Sequence, residues 1–400
     1  MNDVLLNEIK TLSVQIHPDL VAIRRHLHQH PELSFDEHQT SAYIQKKLTE
    51  WGIPFTAGWV KTGIVAHIEG KNPQSKVVAL RADMDALPIT ETKHDNRPYR
   101  SLNEGVMHAC GHDAHTTCLL GAAYILQTTR KEWNGTVKLI FQPAEEKSPG
   151  GALLMLQQGA LAQPPALTII GQHVLPQLET GKVGFRPGLM MASCDEIILT
   201  IHGKGGHGAT PQFCVDPILI AAQVLVGLQQ IVSRFIDPTL PRVLTFGKIN
   251  SVGGAHNVIP ESVVILGTLR MMNEESRFET HKQIRKIASG IAESFGGHCE
   301  VEIDVGYPFL INDEDLTART RAAAEAYLGP ENIVDLPMRM TAEDFAYYSQ
   351  IMPGCFYRIG TGNTQRGITA SIHTPQFDID EKALEIGAGL MAWLALNELK

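Results

Sequence analysis

Short runs of apolar and β-branched residues alternate with helical patterns along the first half of the chain, and this alternation restricts the fold more than any other feature. The runs lie in GIVAHIEG, KVVALRADMD, TVKLIFQPAEE and LTIIGQHV, and CLLGAAYILQTTRK between two of them has helical spacing. Strands that alternate with helices are typical of a mostly parallel sheet covered by helices. The sequence therefore predicts an α/β domain.

Polar side chains follow these runs where each predicted strand ends. Asp83 and Asp85 follow VVALR, Glu145 and Glu146 follow VKLIFQPA, and His173 follows LTIIGQ. Sites in such sheets form beyond the carboxyl ends of the strands. We therefore expect these side chains to meet at one edge of one sheet.

The pattern changes at about residue 188. Strand, helix, strand, strand, helix and strand signals follow in that order, which is the ferredoxin-like arrangement. Helices and short strands then resume and continue to the last residue. The sequence predicts a catalytic domain formed by residues 1–187 and 303–400, interrupted by a smaller α+β domain at residues 188–302.

The charge of the chain limits the classes of partner that it is expected to bind. The chain has 34 Lys+Arg against 43 Asp+Glu, a net charge of -9, and no dense basic tract. Such a chain is not expected to bind nucleic acid. The first residues lack the basic and apolar regions of a signal peptide. We predict a cytoplasmic protein.

Membrane and disulfide signals are weak. The longest apolar stretches, around residues 217–228 and 386–396, have about half of the roughly 20 residues that span a bilayer. They are expected to form buried helices, and no membrane partner is predicted. The six cysteines are scattered without a CxxC pair. In a cytosolic chain this favours free thiols or an isolated metal ligand.

The segment HACGHDAH is the densest group of reactive side chains. Cys110 and His112 lie two residues apart in a turn that contains glycine, just before a helix expected to begin near Thr116. Both side chains can therefore converge on one point, and thiolate with imidazole suits a transition metal. The alternative is a buried cysteine with Asp113 capping the helix.

The adjacent carboxylates Glu145 and Glu146 form a second group. At a strand end they point in different directions, so that one can bind a metal while the other handles a proton. A solvated acidic turn before Lys147 is the alternative. The metal interpretation is favoured because His173 is expected at the same edge.

A cysteine nucleophile is another interpretation of Cys110, because a neighbouring histidine can activate a thiol. His112 is only two residues away, however, whereas the base of such a thiol usually comes from elsewhere in the fold. The carboxylate pair would also have no role. No GxSxG motif occurs, so a serine nucleophile elbow is not supported.

The motifs RADMDALP, MHACGHDAH, FQPAEE, GKGGHGATP, HNVIP, GTLR and TAEDF occur in this order. In combination they resemble the M20 metallopeptidase clan, specifically the amidohydrolase branch of N-acyl-amino-acid, hippurate and auxin-conjugate hydrolases. The resemblance covers nearly the whole chain. It implies a di-metal catalytic domain interrupted by a dimerisation or lid domain, and hence a homodimer or higher homo-oligomer through the inserted domain.

The resemblance also implies the metal ligands. Two divalent ions, Zn2+ or Mn2+, would be held by residues that match the motifs: Cys110, His112, Glu146, His173 and His373. Cys110 takes the place of the aspartate that bridges two metals in many clan members.

One position departs from the wider clan. Asp83 stands where much of the clan has a metal-binding histidine, and within the branch His112 is expected to supply that imidazole. Asp85 resembles an outer residue that orients a ligand.

The remaining roles implied by the resemblance are catalytic. Glu145 matches the general base, and His207 matches a histidine that stabilises the oxyanion, in its own or a partner active site. Asn257 and Arg270 resemble residues that hold the substrate carboxylate. The alternatives are a surface histidine in a Gly-rich turn and polar residues that satisfy backbone groups.

The implied reaction is metal-dependent hydrolysis of N-acyl-L-amino acids, with N-acetyl, N-benzoyl or similar groups, to a carboxylic acid and a free amino acid. A water that bridges the metals would attack, with Glu145 as the base. The alternatives are a dipeptidase or carboxypeptidase of the same clan and, more distantly, a hydrolase with Cys110 as nucleophile.

Overall fold

The computed structural model describes residues 3–93 and 97–400. The helices are α1 Asp3–Gln29, α2 His38–Glu50, α3 His112–Thr128, α4 Gly151–Gln157, α5 Pro217–Gln230, α6 Glu274–Ser294, α7 Glu314–Leu328, α8 Ala346–Ser349 and α9 Lys382–Glu398. The strands are β1 Phe55–Trp59, β2 Gly63–Glu69, β3 Val77–Asp83, β4 Thr136–Gln142, β5 Thr168–Glu179, β6 Val183–Phe185, β7 Gly188–Met191, β8 Asp195–His202, β9 Gly206–His207, β10 Arg242–Val252, β11 Val258–Ile259, β12 Ser262–Met271, β13 His298–Val305, β14 Leu310–Asn312, β15 Ile333–Asp335 and β16 Gly354–Gly362.

The chain divides into two compact units. The first contains Met1–Gly188, Ile311–Pro337 and Asp344–Lys400, and the second contains Leu189–Leu310 and Met338–Glu343. The second unit therefore extends to Leu310 instead of ending at residue 302, and it gains a short later segment.

The first unit is built on an eight-stranded sheet of order β1-β2-β4-β3-β5-β16-β6-β15. The central strands β4, β3, β5 and β16 run parallel, whereas β1 and β2 are antiparallel to their neighbours. All residues of β3 and β4 are buried, as expected for strands covered on both faces. The prediction of a mostly parallel α/β sheet is confirmed.

Helices α1, α3 and α9 contribute to the main apolar core of this unit. Helix α3 approaches α9 closely at Gly121, where an added Cβ would lie 2.6 Å from the Cβ of Ala388. These two helices therefore pack in direct contact.

Two local predictions at this edge were wrong. Strand β5 continues to Glu179, so His173 lies within the strand, because the continuous buried run extends through VLP. Helix α3 begins at His112 and not near Thr116. Gly111 precedes it with φ +86°, a left-handed conformation that glycine adopts without side-chain strain, and the first turn can therefore start there.

The second unit has a four-stranded antiparallel sheet of order β10-β12-β8-β13 and the helices α5 and α6. Its apolar core includes Ile197 and Leu199 of β8, Val224 of α5 and Ile284 of α6. The chain order of these elements is strand, helix, strand, strand, helix, strand. The predicted ferredoxin-like arrangement is confirmed.

The prediction of a buried helix at residues 217–228 was wrong. The helical segment Pro217–Phe235 is the one helix in the described part of the chain that is long and apolar enough to cross a membrane, with mean hydropathy 1.5, and only 28% of it is buried. Val224 and Leu228 face the core, whereas Leu219 and Val226 are exposed. The segment thus has one apolar face packed inside the unit and a second that is solvent-exposed.

A buried ion pair ties α6 to β8 in the second unit. Asp195 is fully buried and accepts hydrogen bonds from Arg277 Nε and Nη2, at 3.0 and 2.5 Å, and from His281 Nε2 at 2.8 Å. Burial acts to raise the pKa of Asp195, but the hydrogen bonds from His281 and Arg277 outweigh it and lower the pKa below 3.8. The folded state therefore favours the carboxylate.

We predict that Asp195→Asn lowers the free energy of unfolding at pH 7 by about 3 kcal/mol, because the buried charge of Arg277 keeps only the partly exposed Glu274 as its counter-charge. The stabilisation is present above the unfolded pKa of 3.8 and is lost as the pH falls through the lower native pKa. Urea denaturation, with hydrogen exchange of α6 amides, measures the change. Asp304→Asn, on the exposed face of the same sheet, is the control, and equal losses in both variants would contradict the prediction.

Candidate metal centre

All five predicted metal ligands converge in the first unit. The ligand atoms of Cys110, His112 and His173 all lie within 4.8 Å of one another, and those of Cys110, Glu146 and His373 meet the same limit. A third group contains His112, Glu145 and Glu146, and it therefore links the first two groups. These residues come from four separate parts of the sequence, so the sheet edge and its loops bring them together.

Cys110 lies between two imidazoles. Its Sγ is 3.4 Å from His173 Nε2 and 3.3 Å from His373 Nε2, and the latter nitrogen is 3.2 Å from Glu146 Oε1. A sulfur in this central position can be shared by two cations.

The ring of His112 is the clearest sign that a cation fits here. Its buried Nε2 finds no hydrogen-bond partner within residues 3–93 and 97–400. Carboxylate oxygens of Asp83, Glu145 and Glu146 lie 3.9, 3.9 and 4.0 Å away, too far for hydrogen bonds. Anionic oxygens that surround an unpaired imidazole nitrogen suit a divalent transition metal.

The electrostatics of the group also favour positive charge. Burial lowers the pKa of His112, but the charge of Asp83 and a hydrogen bond to Asp85 outweigh it and raise the pKa well above 6.5. Hydrogen bonds to Cys110 and Glu146 raise the pKa of His373 to about 10. Both imidazoles bind a proton tightly because the surrounding field is negative, and a metal cation would satisfy the same field.

His173 behaves differently. Burial and the nearby charge of Arg358 hold its pKa well below 6.5, so the ring is neutral. Its Nδ1 donates to the carbonyl oxygen of Val174 at 2.8 Å, which leaves the Nε2 lone pair directed towards Cys110. This is the tautomer that a metal ligand requires.

Asp85 lies behind these side chains. Its Oδ1 accepts from His112 Nδ1 at 3.1 Å, and its Oδ2 accepts from the Ser34 hydroxyl at 2.6 Å and the Glu146 backbone N–H at 3.0 Å. One carboxylate therefore orients two residues of the group, in agreement with an outer supporting role.

Asp83 and His115 form a second supporting pair, which the sequence interpretation missed. His115 Nδ1 donates to Asp83 Oδ1 at 2.6 Å, and its Nε2 accepts the Val174 N–H at 2.8 Å. Both ring nitrogens are therefore engaged within the protein. Arg81 Nη1 also donates to Asp83 at 2.6 Å, so Asp83 supports the centre instead of replacing the clan's histidine ligand. The signal was the position of His115 one helical turn after His112.

The other predicted residues lie in the second unit. His207 is in β9 and pairs with Val258 of β11, and Asn257 accepts the Gly208 N–H at 2.8 Å. His207 Nδ1 accepts the Ala209 N–H at 3.0 Å, so the neutral ring carries its proton on Nε2, where it can be donated. His207 and Asn257 are thus neighbours, and both are exposed.

Arg270 lies in β12 of the same unit and is half-buried. Its buried Nη1 has no hydrogen-bond partner in the part of the chain that the structure describes. An unpaired guanidinium nitrogen can receive a carboxylate.

Converging thiol, imidazole and carboxylate groups at the edge of an α/β sheet define a metallohydrolase. Residues 79–397 match the family described as Peptidase family M20/M25/M40. The chain belongs to this family, and the resemblance stated from the motifs is confirmed.

Its relatives include the N-acetyl-L-cysteine deacetylase of Bacillus subtilis (strain 168), 41% identical over 94% of this chain and 89% of the relative. The N-acyl-L-amino acid amidohydrolase of Geobacillus stearothermophilus is 44% identical over 77% of this chain and 82% of its own. Among solved structures, the YxeP protein of Bacillus subtilis, a dinuclear metal binding peptidase from the M20 family, has a TM-score of 0.82 at 36% identity, covering 96% of this chain and 99% of that one. The protein is a hydrolase that acts on amide bonds.

We predict that Cys110 binds metal directly. Protein loaded with Co2+ should show a thiolate-to-cobalt absorption band, which Cys110→Ala should lose because the sulfur is gone. Cys118→Ala removes a different buried thiol, which lies in α3. It is the matched control and should keep the band. An unchanged band in Cys110→Ala would exclude the thiol as a ligand.

Proposed function

We propose that the protein hydrolyses the amide bond of N-acyl-L-amino acids, with N-acetyl, N-benzoyl or similar acyl groups, to a carboxylic acid and a free amino acid. The observation that carries the proposal is that the five ligand residues form overlapping groups of potential metal ligands, with the second carboxylate, Glu145, 3.9 Å from His112 Nε2. The relatives named as deacetylase and amidohydrolase support this substrate class.

The residues that would hold two divalent ions are Cys110, His112, Glu146, His173 and His373. The thiolate favours Zn2+, whereas the imidazoles and the carboxylate also suit Mn2+. When bound, such ions supply Lewis acidity, which lowers the pKa of water and polarises a carbonyl.

Glu145 is proposed as the general base. Its side chain is buried but for 9% of its surface, and its Oε2 lies 3.9 Å from the unpaired nitrogen of His112. At this position the carboxylate takes a proton from the attacking water and later delivers it to the leaving nitrogen. Glu146, the adjacent residue, then serves as a ligand, so the two carboxylates divide the roles.

Three residues of the second unit would recognise the rest of the substrate. The Nε2–H of His207 is available to stabilise the developing oxyanion, because Nδ1 already accepts the Ala209 N–H. The unpaired Nη1 of Arg270 supports a role in binding the substrate carboxylate, and Asn257 is proposed to assist it.

We also propose a homodimer that forms through the second unit. The exposed apolar side chains Leu219, Val226 and Phe235 on the helical segment Pro217–Phe235 support this proposal, since a large exposed apolar face commonly marks a protein interface. In such a dimer His207 could serve the partner's active site. A cytoplasmic location and the lack of nucleic-acid or membrane partners remain predictions.

Two alternatives differ in their support. Cleavage of dipeptides or of C-terminal residues is favoured by the likeness to YxeP, a dinuclear metal binding peptidase. A cysteine nucleophile is disfavoured, because burial and the charge of Glu146 raise the pKa of Cys110, whereas a nucleophilic cysteine needs a lowered pKa.

We predict that Glu145→Gln lowers kcat for N-acetyl and N-benzoyl amino acids by about 10²–10⁴-fold, because the amide cannot accept the proton. Metal content, measured by mass spectrometry, should be unchanged. Glu132→Gln makes the same change at an exposed position of the same unit and should keep full activity. Near-normal turnover by Glu145→Gln would overturn the mechanism, and faster cleavage of dipeptides by the wild-type protein would favour the peptidase.

A further inference from the structure

The turn between β4 and α4 carries both carboxylates, Glu145 and Glu146, and its backbone is strained. Ala144, directly before Glu145, has φ +52°. Residues other than glycine rarely adopt this left-handed conformation, and it persists only where the surroundings hold it. The direction of both carboxylates depends on this one alanine, so the groups that hold it bear on the proposed chemistry.

Ala144 is held through both of its backbone polar groups. Its N–H donates to Glu37 Oε1 at 2.8 Å, and its carbonyl oxygen accepts the Gly151 N–H at 2.9 Å. Gly151 allows this approach because a Cβ there would lie 1.8 Å from the carbonyl oxygen of Pro143. Of these two contacts, only the one to Glu37 comes from a distant part of the sequence.

Glu37 lies between α1 and α2, and its side chain is fully buried. Its Oε1 also accepts the Phe35 N–H at 3.0 Å, and its Oε2 accepts the Thr62 hydroxyl at 2.7 Å. Three donors therefore converge on one carboxylate. Burying a carboxylate is costly unless it is hydrogen-bonded. These hydrogen bonds offset part of that cost, while burial and the nearby charge of Asp85 raise the pKa of Glu37 to about 7.

Glu32, and not Glu37, caps the N-terminus of α2 with its side chain. Glu37 stands at the N-cap of α2, yet its side chain makes no capping hydrogen bond within the described ranges. Glu32 instead accepts the N–H groups of Gln39 and Thr40, at 3.0 and 2.8 Å. The side chain of Glu37 is thus directed away from its own helix and towards the turn that carries Glu145.

We propose that Glu37 is a positioning residue: its carboxylate holds Ala144 in the left-handed conformation and so directs Glu145 and Glu146 at the candidate metal centre. The proposal rests on the proposed function of Glu145. Glu37 does not contact the reacting atoms in this scheme and acts only through the backbone of Ala144.

The first test compares two carboxylates, Glu37 and Glu32, in the segment that connects α1 to α2. Glu37→Ala should lower kcat on the order of 100-fold, with a smaller change in KM, because a displaced general base loses its geometry. It should also speed hydrogen exchange in residues 143–147 and weaken metal retention. Glu32→Ala, which removes the capping carboxylate of α2, should keep kcat. Glu37→Gln should keep most of kcat, since its carbonyl oxygen still accepts the Ala144 N–H.

The second test uses the backbone itself. Glycine adopts a positive φ without side-chain strain, so Ala144→Gly should restore part of the lost kcat in the Glu37→Ala background and change little in the wild-type background. A purely structural role of Glu37 would give no such rescue.

A folded Glu37→Ala variant with kcat within about twofold of wild type, or an equal loss in Glu32→Ala, would overturn the proposal. If Glu37→Ala does not fold, the wild-type Ala144 amide supplies the measurement: slow exchange supports the proposal, and exchange as fast as that of the exposed Asn72 turn overturns it. A wild-type protein that cleaves no N-acyl amino acid would instead overturn the proposed function, while exchange and metal retention would still test Glu37.

Discussion

Negative charge gathered at the carboxyl edge of one sheet is the constraint on which this structure depends. Asp83, Asp85, Glu145 and Glu146 all approach His112, three of them to within 4.0 Å of its Nε2 and Asp85 through its Nδ1. Buried carboxylates persist only when they are hydrogen-bonded, paired with a positive charge or coordinated to a metal. The imidazoles of His112 and His373 have raised pKa values, so the region stabilises cations, and this is the property that a metallohydrolase needs.

A second layer of hydrogen bonds keeps the cluster in place. Arg81 pairs with Asp83, which fixes His115, and His115 in turn holds the backbone of Val174 next to His173. Such outer contacts set the tautomer and direction of a ligand. The same principle extends to the turn before α4, where Glu37 acts on Ala144. The arrangement of the reactive side chains is therefore set largely by residues that do not face the substrate.

Much of this centre could be predicted from the sequence, because strand ends of a parallel sheet meet at one edge and the reactive residues occur at those ends. Glu145 and Glu146 were placed by that rule, Cys110 by its spacing from His112 in the turn before a helix, and His373 by the resemblance to the family. The start of α3 was misplaced because it depends on the left-handed Gly111.

Other features lay outside the reach of sequence patterns. The role of Glu37 depends on a contact with Ala144, 107 residues away, and its position suggests an ordinary helix cap. The exposed apolar face of α5 was missed because an apolar run does not show which of its faces packs in the core. Both depend on tertiary neighbours, which local spacing does not specify.

We propose that two divalent ions at this centre carry the hydrolysis of N-acyl amino acids, and this proposal can be tested directly. Its most direct measurement is a titration of metal-free protein with Zn2+ or Mn2+, following release of acetate from an N-acetyl amino acid. We expect no turnover without metal and a rise to a plateau at two ions per chain. Full activity of the metal-free protein would contradict it.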